Sequence, residues 1–325
     1  MSRLRVDPYI VALLLTVAVA SLLPASGAVA TGFGLVTTFA IGLLFFLYGA
    51  RLSTREALDG LRHWRLHGLV FLSTFVLFPL LGLLSRLLVP WALTPELWTG
   101  LMFLCCLPST VQSSIAFTSI ARGNVAAAIC SASFSNLIGI LLTPLLVTVF
   151  LFTGTGGISL GAVRDITLQL LAPFLAGQLL RRWIGGFLSH HRRILGYVDR
   201  GSILLVVYAA FSEGVVAGIW GRLSWLSLLV LLAVNLVLLA VVMAVTTYAA
   251  RRLQFSTEDE IAIVFCGSKK SLASGLPMAT VLFPAATVGL AVLPLMLFHQ
   301  LQLMVCAWLA RRYGTRKESV ALASA

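Results

Sequence analysis

Apolar residues run along this chain in blocks long enough to cross a bilayer, parted by short stretches of Gly, Pro, Ser and charge. Ten such segments can be cut out, at about 8–25, 31–50, 66–90, 97–121, 124–152, 165–184, 195–219, 225–250, 259–283 and 287–310. The pattern predicts an all-α polytopic membrane protein of ten transmembrane helices. It forms a single membrane domain over 1–325, with 313–325 a short cytoplasmic tail. Arg3, Arg5, the apolar run from Tyr9 and Ala28-Val29-Ala30 together imitate a cleavable signal peptide. That run is long for one, and its removal would leave an odd number of spans, so it is read as the first helix.

Two segments are interrupted. The ninth carries Gly267-Ser268-Lys269-Lys270-Ser271 at its middle, followed by Gly275 and Pro277. A lysine at bilayer depth costs a few kcal/mol or more, and non-helical backbone survives there only inside protein or along a watery cavity. The stretch therefore reads as the middle of a discontinuous helix beside a solute pathway. In the fourth segment, Leu107-Pro108-Ser109-Thr110-Val111-Gln112-Ser113-Ser114 brings a proline and a cluster of hydroxyls and amide.

Composition changes little in this picture but excludes much. Of 325 residues 59% are hydrophobic and 10% charged, and mean hydropathy is +1.01, which leaves no room for an extramembrane domain. A net charge of +12 in a soluble protein would suggest nucleic acid. Here the arginines sit at alternate ends of the apolar segments, as a topology signal does, so no nucleic-acid partner is expected. One side collects Arg3, Arg5, Arg51, Arg55, Arg62, Arg65, Arg122, Arg181, Arg182, Arg192, Arg193, Arg251, Arg252, Arg311, Arg312, Arg316 and Lys317. The other holds only Arg86, Arg164 and Arg222. Both termini are therefore expected in the cytoplasm, with the chain in the plasma membrane. Cys105, Cys106, Cys130, Cys266 and Cys306 lie within apolar spans and read as small buried hydrophobes, not as a disulfide framework or metal site.

Ten spans divide into five and five, at 8–152 and 165–310, with the second set starting on the opposite side. That is the requirement for an inverted repeat, and the two interruptions fall at matching places. Pro108 lies about 100 residues into its half and Gly267 about 102 into its own.

Leu107-Pro108-Ser109-Thr110 through Ala121-Arg122-Gly123-Asn124, with Ser268-Lys269-Lys270-Ser271-Leu272-Ala273, resembles the bile acid:sodium symporter family. The resemblance is closer to its symporter-like branch of bacterial membrane proteins and the seventh member of solute carrier family 10. It implies that the fourth and ninth helices break and cross. Helices 1, 2, 6 and 7 would form a panel and helices 3–5 and 8–10 a core. Solute would sit between them, and alternating access would come from their relative movement.

The resemblance also implies two sodium ions behind the crossover, but the positions that should hold them look degenerate. A family glutamate falls on Phe265 and a glutamine on Lys269. A Ser-Asn pair falls on Ser113-Ser114 or Ser114-Ile115, depending on a one-residue gap. Ser and Thr ligands fall on Ala128 and Ala132, and a glutamine of the third helix on Thr74, five residues before Pro79. No bound metal or cofactor is expected. An ammonium has three donors and no acceptor, so it cannot ligate sodium but could take the ion's place at freed carbonyls. The expectation is that Lys269, with Lys270 as the alternative, replaces a sodium ion, which makes transport sodium-independent or proton-coupled.

The expected substrate site gathers Pro108, Ser109, Thr110, Gln112, Ser113, Ser114, Ser268, Lys269, Lys270 and Ser271, with Glu213 and His299 as outlying members. The hydroxyls and Gln112 either meet solute or satisfy broken backbone. Ser131, Ser133, Ser135 and Asn136 either contact substrate or glue helices. Glu213, near Ser212 and Tyr208, is a counter-ion or proton carrier, or reaches the interface near Gly218 and Trp220. His299, with Gln300 and Gln302, lines the core or is hydrogen-bonded structure. Asn235 reads as interhelical glue, Asp199–Arg200 as a cytoplasmic-side pair, and Glu258, Asp259 and Glu260 as partners of a helix N-terminus.

The function expected is a secondary transporter of a small, anionic organic solute, with the lipid bilayer as its other partner. The alternatives are a membrane regulator that tunes ion entry on a transporter-like fold, and a sodium-coupled bile-acid-type symporter. An enzyme is not expected, because no metal triad, nucleophile–base pair or phosphate loop has the required spacing.

Overall fold

The structure, a computed structural model, describes residues 8–51, 63–152, 160–218, 221 and 223–323. Arg3, Arg5, Arg55, Arg62, Trp220 and Arg222, used above, lie outside the described residues. Helices follow one another in the order α1 Pro8–Leu22, α2 Gly27–Arg51, α3 Trp64–Leu88, α4 Pro95–Cys106, α5 Gln112–Ile120 and α6 Val125–Val147. They continue with α7 Leu160–His190, α8 Arg192–Val216, α9 Trp225–Arg252, α10 Thr257–Gly267, α11 Leu272–Leu282 and α12 Ala285–Ala323. Each apolar segment of the sequence coincides with one helix, except the fourth and ninth, which are the pairs α4/α5 and α10/α11.

Among the described residues, α2, α3, α8, α9, Val125–Leu151 and Ala285–Thr315 are long and apolar enough to cross a membrane. Large apolar side chains stand exposed along these rods, Phe39, Leu80, Leu141 and Leu229 among them, as a lipid-facing surface requires. The chain is a multi-pass, all-helical membrane protein. The last helix runs on without interruption to Ala323, through the stretch expected to be a tail.

The helices fall into two compact units. One contains α1, α2, α7, α8 and Leu276–Leu293; the other contains α3–α6, almost all of α9, α10, the first turn of α11, and α12 from Pro294. Apart from Leu276–Leu293, the first takes the helices that the resemblance assigns to a panel and the second those of a core.

In the first unit, α2 and α7 touch backbone to backbone. A Cβ on Gly49 would land on the carbonyl of Phe174, and one on Gly177 on that of Phe46, so only glycine permits the approach. Arg51 Nη1 meets Asp199 Oδ2 at 2.5 Å. Asp199 is thus paired with Arg51 and not with its neighbour Arg200, whose guanidinium lies over the Tyr9 ring at 5.5 Å. Successive residues on a helix point about 100° apart, so a sequence neighbour is a poor partner.

In the second unit, local capping sets the helix ends that matter. Thr94 Oγ1 accepts from Leu97 N–H, with Pro95 opening α4. Ser256 Oγ accepts from Asp259 N–H at the start of α10, whose first turn holds Glu258, Asp259 and Glu260. The Arg-Gly-Asn element forms the link into α6. Arg122 has φ 58°, Gly123 lies where a Cβ would meet Ile261 and Thr118, and Asn124 Oδ1 caps α6 at Ala127 N–H, 3.0 Å. Asn124 Nδ2 also donates to Asp259 Oδ1 at 2.8 Å, tying the start of α6 to the start of α10.

Candidate functional site

The site is built where the α4/α5 break meets the α10/α11 break, wholly within the second unit. Pro108 carries no N–H, and α4 stops at Cys106 with Leu107 already extended, ψ 156°. The other break spans only Ser268–Ser271, because Gly275 and Pro277 lie inside α11. The breaks touch directly: Ser271 N–H donates to Pro108 O at 2.9 Å.

A helix that ends in the membrane leaves carbonyls without donors, and each needs a partner. At the end of α10, all three come from serine hydroxyls. Ser114 Oγ donates to Phe265 O (3.1 Å), Ser109 Oγ to Cys266 O (2.5 Å) and Ser73 Oγ to Gly267 O (2.8 Å). At the end of α4, Thr143 Oγ1 takes Cys106 O at 2.8 Å. The flanking carbonyls of Cys105 and Leu107 go to the ammonium of Lys270, at 2.8 and 2.7 Å.

The third acceptor of Lys270 is Thr74 O, at 2.7 Å. It is open for a local reason. Residues Ser73–Leu77 form a π-turn in α3, so Phe78 N–H bonds to Ser73 O. Five residues after Thr74 stands Pro79, which has no N–H to give. All three protons of Lys270 therefore have a carbonyl, and the Phe78 ring lies 4.1 Å from Nζ. The lysine side chain is fully buried, and its bonds are of the charge-assisted kind, worth roughly 1.5–3 kcal/mol each.

Lys269 is equally buried but differently housed. Its Nζ lies 3.4 Å from Ser113 Oγ, 4.2 Å from the Phe117 ring centre and 5.6 Å from that of Phe265. Beyond Ser113, Thr110 Oγ1 lies 2.8 Å from Ser113 Oγ and 3.0 Å from Ser114 Oγ, a chain of hydroxyls running to Phe265 O. Among the described residues, no carboxylate pairs with either ammonium.

Four of the positions that the resemblance assigns to sodium, Ala128, Ala132, Phe265 and Lys269, lack a side-chain oxygen. Ser114 gives its proton to Phe265 O, while Thr74 gives its own to Val70 O and its carbonyl to Lys270. Lys270 is the lysine at the freed carbonyls; Lys269, the one named first from the sequence, lies beside Ser113 and Phe265.

Of the other expected residues, Ser135 Oγ accepts from Ser109 N–H at 3.0 Å, and Asn136 Nδ2 donates to Ser109 O at 2.6 Å. Asn136 Oδ1 accepts from Ser274 Oγ at 2.8 Å, so both residues serve broken backbone and its neighbours. Ser131 instead meets His67 Nδ1, 2.6 Å away. Ser268 Oγ turns back to Val264 O, and Gln112 stands exposed at the start of α5. Asn235 Nδ2 donates to Pro294 O, joining α9 to α12. Glu213, half-buried, belongs to α8 of the other unit, as does Tyr208, whose hydroxyl donates to Leu23 O.

Sequence reasoning undervalued Gln302 and overlooked Ser73 and Thr143. Gln302 is fully buried, and its amide spans the Lys270 peptide: Oε1 accepts from Lys270 N–H at 2.9 Å and Nε2 donates to Lys270 O at 3.0 Å. His299 Nδ1 lies 2.8 Å from the same Nε2. The spacing of His299 and Gln302, three apart on one helix face, was the available signal.

A family model described as "SBF-like CPA transporter family" matches residues 7–315. The chain is similar to "Uncharacterized protein PA2026" of Pseudomonas aeruginosa, 58% identical over 100% of this chain and 98% of that protein. It is 54% identical to "Putative symporter YfeH" of Escherichia coli K12, over 97% of this chain and 95% of the other. "Sodium/bile acid cotransporter 7" of Danio rerio is 30% identical over 94% and 92%.

Proposed function

The chain belongs to the SBF-like CPA transporter family, and on that footing we propose that it is a secondary transporter of a small organic anion whose Lys270 stands permanently where relatives would seat a mobile cation. The observation that carries this reading is the ammonium of Lys270 on Thr74 O, Cys105 O and Leu107 O, at 2.7–2.8 Å. Helix C-termini offer about half a negative charge each, and a fixed ammonium answers that field as a bound ion would. Lys269, over Phe117 and Phe265, answers it at the position where the resemblance places a family glutamine.

Two buried ammonium groups that have no carboxylate partner among the described residues favour an anionic solute at the water-reachable side of the break, which Gln112 and Ser113 border. Alternating access follows the family expectation, with both termini cytoplasmic and the bilayer as the other partner. With no sodium to ride on, uptake is sodium-independent or driven by protons.

The test is uptake of labelled taurocholate and a series of short monocarboxylates into proteoliposomes containing only this protein. Equal accumulation in sodium and choline buffers supports the reading, as does an absence of saturable binding of radioactive sodium. Strict sodium dependence or saturable sodium binding would overturn it. No uptake of any of these anions would shift the balance to the regulator reading.

A further inference from the structure

Gln302 has two amide protons and one carbonyl oxygen, and the Lys270 peptide determines how they are used. Lys270 N–H requires an acceptor, so Oε1 faces it at 2.9 Å; Lys270 O requires a donor, so Nε2 faces it at 3.0 Å. A flipped amide would set N–H against N–H and oxygen against oxygen. One proton of Nε2 then remains, and it points to His299 Nδ1, 2.8 Å away. Nδ1 must accept. The imidazole is thus uncharged, with its own proton on Nε2.

From this we infer that His299 is a proton-sensitive latch on Lys270. Uncharged, it holds Gln302 across the Lys270 peptide and keeps the ammonium seated in its carbonyl cage. A proton on Nδ1 places a donor against the Gln302 donor, so the amide swings away and the Lys270 peptide loses both of its side-chain bonds. His299 is a positioning residue that acts through Gln302, and the inference deepens the proposed function because it rests on Lys270 as the standing cation.

The break brings the ammonium groups of Lys269 and Lys270, fully buried. The thiols of Cys105 and Cys106 neighbour Lys270, and those of Cys266 and Cys306 neighbour Lys269. α3 (Arg65, His67, Arg86) and α9 (Tyr248, Arg251, Arg252), which pack against α12, hold no acid, and the acids of α4 and α10 sit at the far helix ends: Glu96 in the first turn of α4, and Glu258, Asp259 and Glu260 in that of α10. At 1.5 Å per residue those turns lie roughly 10–15 Å from the break.

The experiment uses full-length protein in detergent with nitrogen-15 in its histidines. A variant that retains only His299, with His63, His67, His190 and His191 replaced, identifies the resonance without touching the latch. At about pH 7.5 the expected spectrum has a bare Nδ1 and a protonated Nε2. Thermal unfolding of wild type and His299→Asn, whose amide oxygen can replace Nδ1 as acceptor, is then followed from about pH 8 to about pH 5. A native state that resists the proton loses stability as pH falls, because the unfolded chain takes that proton up. The wild-type midpoint should therefore drop by a few degrees relative to His299→Asn on acidification. An Nδ1–H or charged ring near neutrality, or parallel pH profiles, would overturn the latch. Neither measurement involves transport or sodium, so the latch and the proposed function can fail separately.

Discussion

Lys270 Nζ donates to the carbonyl oxygen of Thr74 at 2.7 Å across 196 residues of chain. The acceptor exists because a π-turn gives the Phe78 N–H to Ser73 and because Pro79 has none to offer. A lysine and a proline far apart in sequence thus make one site, and removing either end has a different consequence.

Lys270→Ala leaves three carbonyls facing a space the size of a lysine side chain. Losing one partner of a buried charged set costs about 3–5 kcal/mol, so the variant should melt well below wild type. The same carbonyls would then be open to a free cation. Sodium chloride, compared with choline chloride, should raise the melting temperature of Lys270→Ala and leave wild type unmoved. Equal responses would show that the carbonyls do not form a cation site.

Ser109→Ala removes the donor to Cys266 O at the end of α10. A single neutral hydrogen bond is worth about 1 kcal/mol, with up to about 3 lost when a buried carbonyl is left bare. The expected drop in stability should be clear, yet smaller than that of Lys270→Ala. Calorimetry or a thermal-shift assay in detergent measures both.

Gly139→Ala tests how tightly the α4/α5 break is packed. Its Cβ would lie 2.7 Å from Pro108 Cβ and 2.8 Å from Cγ, against a ring that cannot swing aside. Overpacking of this kind costs about 1–3 kcal/mol. Gly68→Ala, with nothing within 4 Å of the new methyl, is the matched control. It should be neutral, or stabilising by about 0.5–1 kcal/mol, since alanine is the better helix residue.

Asn124→Ala deletes both the α6 cap and the bond to Asp259, and should cost about 1–2 kcal/mol. Asn124→Asp keeps an acceptor for Ala127 N–H but sets a second carboxylate against Asp259. Its stability at neutral pH should therefore be lower than in mild acid, where a proton can be shared. Comparison of the two variants across pH separates the cap from the cross-link.

The sequence by itself determined the helices and the places where two of them break. A run of apolar side chains in lipid has no low-energy alternative to helix, and Pro108 and the paired lysines cannot lie in an unbroken, lipid-facing rod. Even the short link at Arg122-Gly123-Asn124 was visible as a motif, though not the positive φ and the crowding against Ile261 that account for its residues.

Partner choice was decided only by the tertiary structure. Lys269 and Lys270 are chemically identical and adjacent, and nothing in their order tells which one turns toward Thr74 O and which toward Ser113. Asp199 finds Arg51 instead of the Arg200 beside it, and Gln302 clamps a peptide that lies 32 residues upstream. The physical reason is common to all three. Backbone conformation follows from neighbours a few residues apart, whereas a buried polar atom takes whichever complementary atom packing delivers within about 3 Å.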